Sequence, residues 1–201
     1  MGNTFTDGQA SSGSASRLIT LDDAKAHLGV TAATDDAVIG NLIDAAQEAM
    51  RRHCGRRLLS ESVAEILDGN GKRNLWLAEP AESVTSVHES SSQTWDATTL
   101  VDATDYTVDG CQLDHYDEVW LVGRRNVRVV YLAGFATTPE DLTQACRAQV
   151  GVLYAEWQRT KAGLDVVSAE RQETWSRNFL PRAALDPAVA EICDRYLSPR
   201  L

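Results

Sequence analysis

LITLDDAKAHLGVTAATDDAVIGNLIDAAQEAMRRHCGRR, residues 18–57, reads as two helices joined by a short polar loop. Thr20 stands where a cap residue accepts from the first turn. Asp23 follows three positions on in a capping-box spacing, and Gly29 lies near the helix end. Thr34 is placed to cap the second helix, with Asp35 and Asp36 in a first turn whose unpaired amides favour carboxylates. Val38, Ile39, Leu42, Ile43, Ala46, Met50 and His53 recur at helical spacing and predict one buried face. Arg51 and Arg52 complement the last turn, and Gly55 is the stop. A helical hairpin follows.

After Ser60 the period changes to two. Ser62–Asp68, Asn74–Ala78, Ser83–Glu89, Tyr106–Asp109, Val119–Val122 and Val127–Leu132 read as short strands. Asp68-Gly69-Asn70-Gly71 and Asp109-Gly110 signal turns, and SSSQTWDATT reads as an exposed loop or hairpin tip. Thr138-Pro139-Glu140-Asp141 then opens a long helix, with Leu142, Ala145, Cys146, Val150, Leu153, Tyr154 and Trp157 along one face. Run to Lys161, it spans about 30 Å. Residues 162–185 are irregular and polar, with Trp175 and Phe179 as isolated anchors. Asp186-Pro187 starts a last short helix with Val189, Ile192, Cys193 and Tyr196 on its apolar side. Helices, strands, then helices again make an α+β chain.

A chain of 201 residues, 43% hydrophobic, can bury a sizeable core. It contains no run of about 18 apolar residues, so no membrane span is expected. Residues 1–17 read as a flexible arm rather than a secretory signal, because the basic and apolar regions of a leader are missing. Cys54, Cys111, Cys146 and Cys193 are far apart and sit among apolar neighbours, which excludes zinc-ribbon and thioredoxin patterns and predicts buried free thiols. The formal charge of −10 is concentrated between residues 61 and 122, where thirteen carboxylates face only Lys72 and Arg73. That is the wrong sign for gripping phosphates.

Phosphate-cradling, dinucleotide, zinc-protease and nucleophile-elbow motifs are all missing. Asp114-His115-Tyr116-Asp117, on an expected turn, is the best local candidate for metal or acid–base chemistry, but four polar residues on a turn are much more often simply solvated. No catalytic residue, metal or cofactor is expected. Arg51, Arg52, Arg56 and Arg57 form the single basic cluster. They admit a helix-turn-helix reading, against one in which they complement a helix end and pair with the acidic middle.

The order of blocks resembles the tailed-phage head-tail connector (head-to-tail adaptor) family. The resemblance rests on LITLDDAKAHLGV…DDAVIGNLIDAAQEAMRRHCGRRL with its Gly55-Arg56 step, on VRVVYLAGFATTPEDLTQACRAQVGVLYAEW, and on the closing EICDRYLSPRL. It implies one connector domain over residues 18–201. That domain is a small helical bundle, built from the N-terminal hairpin, the long central helix and the short C-terminal helix, with a β-rich insertion at about 60–134. It implies a structural subunit of a dodecameric adaptor ring in the virion neck, made in the host cytoplasm. The ring would be bound to the portal protein above and a stopper or tail-completion protein below, with DNA passing through unbound. Asp96, Asp102, Asp105, Asp109, Asp114, Asp117 and Glu118 are then candidates for an acidic channel or surface. The segment at about 186–201 is the expected portal-docking element, with Ile192, Tyr196, Leu197, Pro199 and Arg200 as contacts. Trp95, a large aromatic in a polar loop, is a further candidate contact. The alternatives are another neck component, stopper or tail-completion protein, a DNA-binding protein using the first two helices, or a small hydrolase.

Overall fold

The computed structural model describes residues 17–161 and 185–198. Four helices, α1 (Leu21–Leu28), α2 (Asp36–Cys54), α3 (Glu140–Lys161) and α4 (Pro187–Asp194), pack around one apolar core. Ile39, Ile43, Ala46 and Met50 of α2 meet Leu142, Cys146 and Val150 of α3, with Val189 and Cys193 of α4 and Ala24 of α1 closing the space. Burying each large side chain stabilises the bundle by roughly 1.5–3 kcal/mol. Thr20 and Asp23 form the expected capping box on α1.

Two helical details differ from the sequence reading. Asp35, not Thr34, occupies the N-cap of α2, and its side chain makes no cap hydrogen bond. Its carboxylate is drawn instead to α3, where the Tyr154 hydroxyl donates to it at 2.9 Å. His53 is not in the core. It is exposed, with Nε2 lying 2.7 Å from Oδ1 of Asp194, so it ties α2 to α4 from outside.

Between α2 and α3 the chain forms two three-stranded antiparallel sheets, ordered β1-β6-β3 and β2-β5-β4. The strands are β1 (Glu61–Gly69), β2 (Asn74–Trp76), β3 (Ala81–Glu89), β4 (Tyr106–Asp109), β5 (Gln112–His115) and β6 (Gly123–Ala133). They enclose a second core of Leu75, Leu77, Val87, Leu113, Trp120, Val127, Val129, Tyr131 and Ala133. Val127, Val129 and Tyr131 point inward from β6, so Arg128, Val130 and Leu132 line the opposite face.

Here, too, the sequence misled, at two neighbouring segments. Gln112–His115, read partly as a turn, is a strand, and Val119–Val122, read as a strand, is a loop. In β5, Leu113 and His115 face inward while Gln112 Nε2 donates to the Asp114 carboxylate at 2.8 Å on the other face. A polar residue at each end of that alternation hid it. In the apolar run that follows, only Trp120 is buried.

The insertion enters and leaves the bundle at one point. Glu61 pairs with Ala133, and Gly134 then lies directly against Leu59. Gly134 has φ 105°, and a Cβ there would sit 2.0 Å from the Leu59 carbonyl oxygen, so only glycine fits. Beside this junction Arg57 pairs with Glu79 and, at 3.1 Å, with Glu61, while Arg56 lies over the Phe135 ring.

Candidate interaction surfaces

The acidic residues fall into two groups. The register of β3 on β6 runs from Ala81↔Ala133 beside the bundle to Glu89↔Val127 at the far end. Asp102, Asp105, Asp117 and Glu118 gather at that far end, where the Asp105 carbonyl accepts from Tyr116 N–H at 2.8 Å. All four are exposed, as is Asp96 in the loop after β3. Asp109 is also exposed but lies at the β4–β5 turn, whose Gly110 carbonyl holds Ala81 beside the bundle. Asp114 is half-buried and engaged by Gln112.

Hydrogen bonds fix the charge of two of these groups. The side chain and then the backbone N–H of Thr98 donate to Asp96 and hold its carboxyl below the usual carboxylate range. Asp102 is lowered in the same way by the backbone and then the hydroxyl of Thr104. Both carry their charge at any neutral pH.

The basic cluster offers no free stripe. Arg51 and Arg52 pair with Glu48 on their own helix, Arg57 is engaged by Glu61 and Glu79, and Arg56 covers Phe135. Arg51 and Arg52 thus stand in the last turn of α2, and Arg57 pairs with the acidic middle. Asp114–Asp117 brings no acid–base pair together either. His115 is buried, its Nδ1 accepts from Glu118 N–H at 3.2 Å, and its ring meets Trp120 edge-on with centroids 5.1 Å apart. Among the described residues no cluster of His, Cys, Asp and Glu has the arrangement of a metal site, and no helix is long and apolar enough to cross a membrane.

At the C-terminus the chain uses two of the candidate contacts itself. Ile192 packs against the helical core. Tyr196 donates its hydroxyl to Asp141 at 2.7 Å and meets Phe135 in a T-shaped contact. Burial and then the Asp141 bond push its phenol above the ordinary value. Leu197 is half-exposed, and Ser198 N–H donates to the Cys54 carbonyl at 2.8 Å, which fixes where the tail departs. Pro199 and Arg200, like the arm at 1–16 and the anchors Trp175 and Phe179, lie outside the described residues. Arg17, counted with the arm, is bound to Asp44 of α2. Trp95 is half-buried.

The sequence reading missed the most prominent apolar feature. Loop 116–122 displays Tyr116, Val119, Leu121 and Val122 at 52%, 54%, 46% and 75% exposure. The loop is firmly held. Trp120 is its buried anchor, with its backbone N–H donating to Lys72 O at 2.9 Å and its carbonyl accepting from Gly71 N–H at 3.1 Å. Asn126, 2% exposed, donates from Nδ2 to Leu121 O at 2.6 Å and accepts at Oδ1 from Gly69 N–H at 2.7 Å. Glu89 accepts from Leu121 N–H. The signal was in the sequence as the run VWLV, but an apolar run does not say which of its residues face in.

Residues 17–162 match the family of head completion proteins. No curated protein matches the chain. Among solved structures, the fold is similar to a chain in the virion of a native gene transfer agent particle, with TM-score 0.62 and 17% identity over 92% of this chain and 91% of that one. It is likewise similar to a chain in the neck of the empty particle, computed with C6 symmetry, at TM-score 0.60 and 17% identity over the same 92% and 91%. A third match is to a chain in the neck of the native particle computed with C12 symmetry, at TM-score 0.58 and 17% identity over 90% and 89%.

Proposed function

The chain belongs to the head completion protein family, and from that membership we propose that it is a non-catalytic structural subunit of a virion neck. It assembles there as an adaptor ring between the portal and a stopper or tail-completion protein. The observation that carries this reading is the extent of the family match, which runs from the approach to α1 through the whole insertion to the end of α3. Similar folds occur in particle necks computed with sixfold and twelvefold symmetry, which supports a ring and, for its size, twelve copies. The fixed carboxylates at the far end of the insertion suit a channel that DNA traverses without sticking, because like charge repels phosphate. Leu197 and the tail beyond it are the part of the C-terminal segment left over for the portal.

Electron microscopy of the protein mixed with its cognate portal tests the reading. A second ring layered on the portal, with matching symmetry, is the expected result. Absence of any layer, with the protein binding instead to the tail-side components, transfers it to the stopper or tail-completion role.

A further inference from the structure

Among the described residues, two apolar surfaces are left without a partner, and they differ in charge. One is loop 116–122, whose Val119, Leu121 and Val122 are pinned outward by the hydrogen bonds to Trp120, Leu121 and Asn126. A loop that merely tolerated apolar residues has no need of so rigid a support, and display of this kind marks a contact surface. Asp117 and Glu118 stand beside it, exposed, their carboxylates without a cation partner among the described residues.

The other surface is the outer face of the β1-β6-β3 sheet. Register places Ala64 opposite Val130, Ser62 opposite Leu132 and Ile66 opposite Arg128, all directed away from the β core. None of these apolar residues joins either core, Ile66 is 39% exposed, and no described helix or strand packs across the face. Arg128, half-buried among them, has no carboxylate partner among the described residues. A cation set in an apolar sheet face is complementary to a pair of carboxylates beside an apolar loop.

We propose that loop 116–122 of one copy seats on the outer face of the β1-β6-β3 sheet of the next copy, with Asp117 and Glu118 of the first reaching Arg128 of the second. The two patches are different surfaces of one chain, so the contact is head-to-tail and propagates around a ring when the rotation closes. This inference rests on the ring reading above and names the contact that builds it.

Charge reversal and charge exchange test it, with rings on the portal counted by electron microscopy and thermal midpoints measured alongside. Arg128→Glu alone and D117R/E118R alone are each expected to reduce ring-bearing portals at least tenfold. The combined R128E/D117R/E118R variant is expected to restore them. Val122→Asp alters a side chain that contributes nothing to either core, so it should keep the parent midpoint and still lose rings. Normal ring formation by V122D, or a combined variant with the parent midpoint and no rings, overturns this contact while leaving the ring intact. Absence of rings in the parent overturns the ring reading and the contact together.

Discussion

Replacing Asn126 isolates the device that holds the far end of the insertion. Its amide satisfies two backbone groups, Gly69 N–H at the end of β1 at 2.7 Å and Leu121 O in loop 116–122 at 2.6 Å. It does so at a site that is 2% exposed. Asn126→Ala strands both groups. At about 1–3 kcal/mol for each buried group left unpaired, the expected loss is about 2–6 kcal/mol. The lower end applies where water enters the space left by the amide. Asn126→Asp keeps the shape and changes the chemistry, because an ionised carboxylate accepts from Gly69 N–H but meets the Leu121 carbonyl with a second acceptor. Protonation restores the donor. The folded state therefore raises the pKa of the new carboxyl above its unfolded value near 3.9. Stability from such a group is fully present below the unfolded pKa and is lost as pH rises through the folded one. The gap between N126D and the parent is thus widest at pH 7.5 and narrows toward pH 4. Urea unfolding followed by fluorescence of Trp120, buried in the same core, reads both effects. An N126A loss below about 0.5 kcal/mol, against the 1–3 expected per orphaned group, or an N126D gap independent of pH, refutes the argument.

Gly134→Ala places a Cβ 2.0 Å from the Leu59 carbonyl oxygen at φ 105°, so a backbone shift is forced at the junction. We expect a loss of at least about 3 kcal/mol in urea melts, the upper end of the cost of one strained residue. All four cysteines are buried and free. Burial pushes Cys146 up to about 12, and the hydrogen bond with Cys54, then burial, raises Cys193. The bond to Cys193 lowers Cys54, but burial shields all four, so Ellman's reagent should label none of them in native protein and all four in denaturant, and rapid native labelling of any one contradicts the packing described. Asp96, Asp102 and Asp105 changed together to Lys should slow DNA ejection from assembled particles. Unchanged ejection removes the channel assignment.

Helix ends and turns were legible because their chemistry is local. Thr20 and Asp23 need only each other, and Gly55 needs only the turn before it. Legibility failed where a distant group took over a local one. Asp35 has the chemistry of a cap residue, yet its carboxylate answers to Tyr154, 119 residues away. His53 falls on the apolar spacing of α2, yet Asp194 draws it to the rim. Strand assignment failed in β5 for a related reason. Period-two reading weighs hydrophobicity, whereas His115 is buried by an edge-on contact with Trp120. The candidate surfaces were the least legible part. Sequence supplied the acids and the apolar run, but only the fold shows that Tyr196 is bound internally and that Val119, Leu121 and Val122 point outward.

The pairing of Glu61 with Ala133 bears on the order in which the chain assembles itself. Docking α2 on α3 directly would mean closing a loop that contains the whole insertion, at an entropic cost that rises with its length. Once β1 has zipped onto β6, that loop is already closed, and only the short links at Gly55–Ser60 and Gly134–Pro139 separate the two helices. The sheets thus act as a clasp that brings α2 and α3 within reach of each other. Strand pairing is then expected to be the slow, long-range step, with bundle formation following it. Lesions in the β1–β6 register should consequently slow folding of the helices, although no helical residue has changed.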